Sequence, residues 1–240
     1  MPSYALQSYP DVPSLALAAG SQLLDVLEKH GAAGPAFALA LSGGRIARPF
    51  YEAIVSGSRA RKVSPHQVEF FFADERAVPL NDPESNYRLA HESLFEPLAI
   101  QQTTVHAIDA SKDAAAAAER AEGELRRVIA AKPGVMPVLD LVILGMGEDG
   151  HVASLFPGAP AAAVTTRAAY VAVRGPKPPP QRVTLTYGCL AAARQVWVLV
   201  SGPSKAGALR VSLAPASITP LGRVLQARKS SLIFSDCPIA

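Results

Sequence analysis

The residues of this chain best suited to chemistry are Asp149 and His151, which lie in a glycine turn directly behind an apolar run. They belong to the segment DLVILGMGEDGHVASLFPG, residues 140–158, whose first part is typical of a strand buried on both faces of a parallel sheet. Ligands of open α/β sheets bind beyond the carboxyl ends of such strands. Because an imidazole is a natural general base near neutral pH, this position predicts a catalytic role for His151.

Two other interpretations of this turn have to be weighed. Residues 145–150 match the dinucleotide fingerprint GxGxxG, but that site also needs an acidic residue about 20 positions later. No Asp or Glu occurs between His151 and Ser235. The second alternative is purely structural, with His151 starting a helix and bonded only to the backbone. The glycines, the nearby carboxylate and the position behind a strand favour a functional role instead.

A second polar turn follows the apolar run Phe37–Leu41 and consists of Ser42, Gly43, Gly44 and Arg45. A glycine turn that opens a helix presents free N–H groups and the positive end of the helix dipole to a phosphate. The same glycines could instead serve only the geometry of a tight turn. This segment is therefore a candidate phosphate site.

A third candidate segment begins behind the apolar run Val68–Phe72. The charged triplet Asp74–Arg76 follows it almost at once, and Ser85 and Asn86 begin the next predicted helix. Charges in such a place face either a ligand or one another. Either polar residue at the helix start could equally be an N-cap.

Length and composition limit the possible classes of protein. With 240 residues, of which 49% are hydrophobic, the chain can form one large α/β domain or two small ones, and we expect a single domain over residues 1–240. The two cysteines, Cys189 and Cys237, give no disulfide framework and indicate a reducing compartment. The sequence shows neither a signal peptide nor an apolar run near the ~20 residues of a membrane span. We expect a cytoplasmic protein and no membrane partner.

Charge is distributed unevenly along the chain. Residues 1–150 contain 13 Lys and Arg against 19 Asp and Glu, whereas residues 151–240 contain ten against a single acid, Asp236. This bias favours an anionic ligand. Nucleic acid is not expected, because the basic residues are scattered singly and lack interleaved aromatics. A small phosphorylated or carboxylated metabolite fits better, although several of these charges must simply be solvated.

Strand-like and helical patterns alternate along the chain, which predicts an α/β fold with a doubly wound, mainly parallel sheet and helices on both faces, as in Rossmann-like proteins. The predicted helices cover residues 14–29, 46–56, 84–95, 112–131 and 204–213. The predicted strands are Phe37–Leu41, Val68–Phe72, 104–106, 138–144, 170–173, 182–185, Gln195–Val200 and 231–234. The proline-rich residues 175–180 are predicted to form a loop.

These segments, in this order, resemble the 6-phosphogluconolactonase family. The family's pattern is similar to LSGG around residue 42, DERxVPxxxxxSN over residues 74–86, DLxxLGxGxDGHxASLFPG over residues 140–158, RVTLT over residues 182–186 and GxxKA over residues 202–206. The matches span nearly the whole chain, and the long central motif is highly specific. The family usually continues LSGG with Ser-Thr-Pro, whereas this chain has Arg45, Ile46 and Ala47. Arg45 would then replace the missing hydroxyl as a phosphate ligand or change the geometry there.

The related glucosamine-6-phosphate deaminases share the fold and the DGH turn. Their pattern resembles DEY where this chain has the triplet Asp74–Arg76, and they carry a glutamate a few residues after the histidine. In this chain the corresponding stretch contains Phe156, which cannot exchange a proton. That difference favours lactone hydrolysis over a deaminating isomerisation.

The resemblance implies hydrolysis of 6-phospho-D-glucono-1,5-lactone to 6-phospho-D-gluconate, in the oxidative pentose phosphate pathway. His151 would be the general base, with Asp149 orienting its imidazole. The developing oxyanion would meet Arg76 or the backbone N–H groups of the turn that contains Gly147. The alternatives are a deaminase-like isomerase and a non-catalytic sugar-phosphate sensor, and the presence of both His151 and Arg76 argues against the sensor.

The phosphorylated sugar lactone is the expected small-molecule partner. Its phosphate would lie on Ser42, Gly43 and Gly44, with Lys205 and Arg182 as counter-charges. Asp74, Asn86 and Arg45 are expected to line the same site. No cofactor is expected, and no metal either, because His30, His66, His91 and His106 lack paired ligand spacing. We expect a monomer.

Overall fold

The computed structural model describes residues 3–31, 35–63, 65, 67–158 and 166–238. Its strands are β1 (Ser3–Ser8), β2 (Phe37–Leu41), β3 (Val68–Phe72), β4 (Asp74–Arg76), β5 (Leu141–Gly145), β6 (Tyr170–Arg174), β7 (Gln181–Leu185), β8 (Gln195–Val200) and β9 (Ser230–Ser235). Its α-helices are α1 (Val12–His30), α2 (Ala47–Arg61), α3 (Asn86–Ala90), α4 (Ala114–Val128), α5 (Tyr187–Ala192), α6 (Ala206–Leu213) and α7 (Pro220–Gln226).

Six strands form a parallel sheet in the order β1-β9-β8-β5-β2-β3. Its central strands are apolar along their whole length: every residue of β2 and the first four residues of β5 are buried. Continuous apolar runs of this kind are required when helices cover both faces of a sheet. The expected α/β class with a mainly parallel sheet is confirmed.

Helix boundaries follow from local capping chemistry. Asp11 accepts a hydrogen bond from the Ser14 backbone N–H at 2.8 Å and so begins α1, which ends at Gly31, a residue with φ of 68°. Asp113 accepts from the backbone N–H groups of Ala115 and Ala116 and begins α4. These caps determine where the two helices begin.

A second, antiparallel sheet of three strands has the order β4-β7-β6. Ala73 joins it to the main sheet, because its N–H donates to Leu41 O and its carbonyl accepts from Leu185 N, both at 2.7 Å. The pairing places Asp74 opposite Thr184 and Arg76 opposite Arg182. Two motifs more than 100 residues apart in the sequence thus become neighbours.

The structure corrects several element predictions. The predicted strand at residues 104–106 forms only one bridge, between Phe70 and Val105, beside a 3-10 turn at Gln102–Thr104, because so short a run cannot continue a ladder. The predicted helix over residues 84–95 is α3 followed by a π-helical turn, His91–Phe95. The strands β1 and β4 and the helices α5 and α7 were not predicted.

Membrane-spanning helices and metal-binding groups were sought among the described residues. None of their helices is long and apolar enough to cross a membrane. Among the same residues no group of three His, Cys, Asp or Glu side chains could hold a metal ion, and His66 lies outside them.

Candidate active site

One cavity lies at the carboxyl ends of four adjacent parallel strands, β8, β5, β2 and β3. Ten of the twelve predicted site residues line it, drawn from five separate segments of the chain: Ser42, Gly43, Gly44, Arg45, Asp74, Arg76, Asn86, His151, Arg182 and Lys205. The other two, Asp149 and Gly147, contact His151 directly. The fold therefore brings together residues that the sequence separates by up to 163 positions.

His151 is held by its own turn. Its Nδ1 lies 2.5 Å from Asp149 Oδ1, its backbone N–H donates to the same oxygen at 3.2 Å, and its carbonyl accepts from Gly147 N at 2.9 Å. A carboxylate can only accept, so Nδ1 carries the proton and the basic lone pair of the neutral ring is on Nε2. The side chain is 23% exposed and lines the cavity, which makes Nε2 available there.

Asp149 is suited to stabilise a protonated imidazole. Partial burial opposes its ionisation, but the hydrogen bonds and the charge of His151 outweigh this effect and hold the pKa of Asp149 below its usual value. The carboxyl group is therefore ionised at neutral pH. It fixes the orientation of His151 and favours the charged ring once a proton arrives.

Gly147 is required by the packing of this pair. A Cβ at this position would lie 2.1 Å from both Nδ1 and Cε1 of His151 and 2.8 Å from Asp149 Oδ1. The imidazole thus occupies the space that any other residue at position 147 would fill. The glycine allows the histidine to fold back over the turn.

Two arginines from the antiparallel sheet reach the cavity. Arg76 and Arg182 are cross-strand neighbours, so their side chains leave the same face of the sheet. Arg182 is only 6% exposed; its Nε donates to Pro179 O at 3.1 Å, and its guanidinium carbon lies 5.5 Å from the ring centroid of Phe156. Arg76 donates to Glu84 O. Two like charges side by side favour an anion between them.

Lys205 is a further buried cation at the cavity. It is 8% exposed and closes the 3-10 turn Pro203–Lys205 behind β8. Burial lowers the pKa of its amine, and the positive charge of Arg45 acts in the same direction. Among the described residues, neither Lys205 nor Arg182 forms an ion pair with a carboxylate. Buried cations without a carboxylate partner are costly, and a bound anion would offset that cost.

The glycine turn behind β2 supplies backbone donors. Ser42 uses its hydroxyl proton on Ile143 O at 2.9 Å, so its Oγ can only accept from a ligand. Gly43 packs directly on Asn86, whose Oδ1 would lie 1.9 Å from any added Cβ. The backbone N–H groups before α2 are of the kind that can donate to an anion.

Arg45 lies at the rim of the cavity rather than inside it. Its side chain is 81% exposed and its guanidinium lies 3.4 Å from Glu148 Oε1, which also accepts from Ser204 Oγ at 2.9 Å. The pair links the turn behind β2 to the turn behind β5. Arg45 thus has a surface partner before any ligand binds.

Asp74 and Asn86 form a buried polar cluster at the cavity. Ser154, which was not among the predicted site residues, also belongs to this cluster. Asp74 accepts from Ser154 Oγ at 2.6 Å and from Asn86 Nδ2 at 3.2 Å. In the sequence, only the position of Ser154 inside the motif that contains His151 could have indicated a role for it. Its role becomes visible only through the fold, because its partner lies 80 residues away.

Glu75 is a second buried side chain that supports the cavity and was not among the predicted site residues. Its fully buried carboxylate accepts at 2.8 Å from each of the backbone N–H groups of Arg76, Asn86 and Tyr87. Burial raises the pKa of this carboxyl group in spite of those hydrogen bonds. Glu75 thereby ties the start of α3, and with it Asn86, to the strand that carries Arg76.

The chain is similar to known proteins in both sequence and structure. The family model described as glucosamine-6-phosphate isomerases/6-phosphogluconolactonase matches residues 10–234. A curated 6-phosphogluconolactonase of Mycobacterium tuberculosis is 34% identical over 241 residues, covering 98% of this chain and 96% of the relative. The structure of 6-phosphogluconolactonase from Trypanosoma brucei has a TM-score of 0.80 at 27% identity, covering 98% of this chain and 96% of that one.

The fold alone does not separate the two activities within the family. A monomeric glucosamine-6-phosphate deaminase has a TM-score of 0.77 at 18% identity, with 97% of each chain covered. At that identity the likeness is one of fold. The relative from Mycobacterium tuberculosis, in contrast, is 34% identical over 98% of this chain, and the family model matches residues 10–234. The chain belongs to the family of glucosamine-6-phosphate isomerases and 6-phosphogluconolactonases.

Proposed function

We propose that this protein is a 6-phosphogluconolactonase, which hydrolyses 6-phospho-D-glucono-1,5-lactone to 6-phospho-D-gluconate in the oxidative pentose phosphate pathway. The full-length relatives of that name support the activity. The observation that carries the proposal at the site is that the His151–Asp149 pair shares one cavity with Lys205 and Arg182, two buried cations suited to a phosphate.

The geometry supports a general-base mechanism. Nε2 of His151 takes a proton from a water molecule as the water oxygen attacks the lactone carbonyl carbon, C1. Asp149 stabilises the imidazolium that results. The tetrahedral oxyanion is met by Arg76 or by backbone N–H groups of the turn behind β5. When the C1–O5 bond breaks, the imidazolium returns its proton to the ring oxygen, which leaves as the 5-hydroxyl.

Phe156 supports hydrolysis rather than deaminating isomerisation. Its ring centroid lies 4.5 Å from that of His151, and the Arg182 guanidinium lies over the same ring. An apolar ring in this place lies near both the imidazole and the guanidinium and cannot transfer protons. We therefore expect purified protein to consume freshly prepared phosphogluconolactone and to release no ammonia from glucosamine 6-phosphate. The opposite pattern in paired assays would contradict the proposal.

Gly147→Ala tests whether the position of His151 matters. We expect kcat to fall on the order of 10²-fold, because misplacing a catalytic group by about 1 Å has an effect of that size. Gly207→Ala, in exposed space on α6, is the matched control and should keep wild-type kinetics. Melting temperatures of both variants separate misplacement from unfolding. Unchanged kcat in Gly147→Ala would rule out a role for the imidazole in this position.

Arg45→Ser tests the position where the sequence departs from the family pattern. The Arg45 guanidinium is exposed and pairs with Glu148 at the rim of the cavity. Exposed charges interact with a partner by at most ~1 kcal/mol, so we expect the affinity for product to change less than about fivefold. Calorimetric titration with 6-phosphogluconate measures it. A loss of about tenfold or more would show that the guanidinium turns inward to the phosphate.

We further propose that the enzyme is a cytoplasmic monomer. Cys189 and Cys237 are free and buried, which fits a reducing compartment. Two of the large exposed apolar side chains of the described residues, Leu17 and Val211, lie on separate helices, α1 and α6. Light scattering coupled to size-exclusion chromatography tests the assembly state.

A further inference from the structure

Asp236, the single acidic residue after position 150, lies directly behind β9 and beside the loop that follows β8. Its Oδ1 accepts from the backbone N–H of Gly202 at 2.8 Å, and its Oδ2 accepts from Ser201 Oγ at 2.9 Å. Its own N–H donates to Val200 O at 3.3 Å. One carboxylate thus holds both residues at which the chain leaves β8.

The loop fixed by Asp236 leads straight to Lys205. Gly202 has φ of 102°, a conformation that favours glycine, and its carbonyl accepts from Lys205 N at 3.1 Å. The Cys237 thiol donates to the same carbonyl at 3.1 Å. The path of the backbone from Ser201 to Lys205 therefore depends on contacts made by residues 236 and 237.

Asp236 also influences the charge of Lys205 without binding it. Burial lowers the pKa of the amine, whereas the negative charges of Glu148 and Asp236 raise it. Neither carboxylate forms an ion pair with the ammonium group. A carboxylate in direct contact would compete with an anionic ligand, but one that is held by the adjacent loop leaves the ammonium group free.

We propose that Asp236 is a positioning residue for substrate binding: by fixing Ser201 and Gly202, it presents the Lys205 ammonium group to the phosphate of the lactone. This inference rests on the proposed function, in which Lys205 is a counter-charge for that phosphate. It gives a specific role to the one acid in a strongly basic part of the chain.

Asp236→Ala should raise KM for the phosphorylated lactone about tenfold or more and change kcat little. With unphosphorylated glucono-1,5-lactone, both parameters should stay near wild type, an outcome that a general loss of structure would not give. Asp236→Asn keeps one acceptor oxygen and should show a smaller rise in KM. Glu119→Gln, which removes an exposed charge on α4, is the control and should behave as wild type.

A double-mutant cycle with Lys205→Ala tests whether Asp236 acts through the lysine. If it does, the double variant should have the KM of Lys205→Ala alone, because the two effects are not additive. Full additivity, or an equal effect of Asp236→Ala on both lactones, would overturn the proposal. So would a raised KM in Lys205→Ala with none in Asp236→Ala.

Direct titration with inorganic phosphate separates this inference from the proposed function. Both Asp236→Ala and Lys205→Ala should weaken phosphate binding, and Asp236→Ala by no more than Lys205→Ala, whether or not the wild-type protein turns over the lactone. Turnover by wild type together with unchanged phosphate affinity in both variants would leave the activity standing and refute the positioning role. Weakened phosphate binding without any wild-type turnover would refute the lactonase assignment alone.

Discussion

His151→Asn is expected to lose roughly 10²–10⁴-fold in kcat while it still binds 6-phosphogluconate, because this is the usual size of a general-base contribution. Asparagine can keep a hydrogen bond to Asp149, so the turn should stay in place. The side chain no longer offers a basic nitrogen to the cavity. Steady-state kinetics corrected for spontaneous hydrolysis, with calorimetry for product binding, measure the two effects separately.

The matched control for this variant is His30→Asn, a histidine at the end of α1 that packs against Phe37 at the amino end of β2, whereas the cavity lies at the carboxyl end. It should keep wild-type turnover. Near-normal kcat in His151→Asn would exclude the general-base role. Loss of product binding together with kcat would instead indicate a disturbed site.

Arg182→Met should raise KM for the phosphorylated lactone by about 10–100-fold, because a hydrogen bond to a charged group is worth about 1.5–3 kcal/mol. Methionine keeps apolar contact with Phe156 and removes the charge. KM for unphosphorylated glucono-1,5-lactone should change far less. Equal changes for both substrates would place the guanidinium away from the phosphate.

Arg228→Met is the control for removing a buried arginine. Arg228 is also buried and donates to the carbonyl oxygens of Leu190 and Ala191 at 2.6 and 2.9 Å, near the end of α5. It does not line the cavity. We expect a lower melting temperature and an unchanged KM, whereas Arg182→Met changes KM.

The parallel sheet was predictable because its central strands are continuous apolar runs, as in β2 and β5. The edge strand β1 has the sequence SYALQS, which carries no such run, and its pairing with β9 joins the two ends of the chain. The charged strand β4 is three residues long and exists only because β7 lies beside it. Such elements depend on tertiary pairing and cannot be read from local pattern.

The candidate site was predictable where a motif stands directly behind a strand. That position brought His151 and Ser42 into the prediction, and both line the cavity. Ser154 and Asp236 were beyond reach, because their hydrogen-bond partners lie 80 and 34 or 35 residues away. The catalytic and binding roles of the cavity residues stay predictions until the variants are measured.

Formation of 6-phosphogluconate from freshly generated phosphogluconolactone decides whether this protein is a lactonase. After subtraction of the spontaneous rate, we expect hydrolysis that increases in proportion to protein concentration and saturates with substrate. We also expect the unphosphorylated lactone to be a much poorer substrate. A rate equal to the spontaneous one at every protein concentration would contradict the assignment.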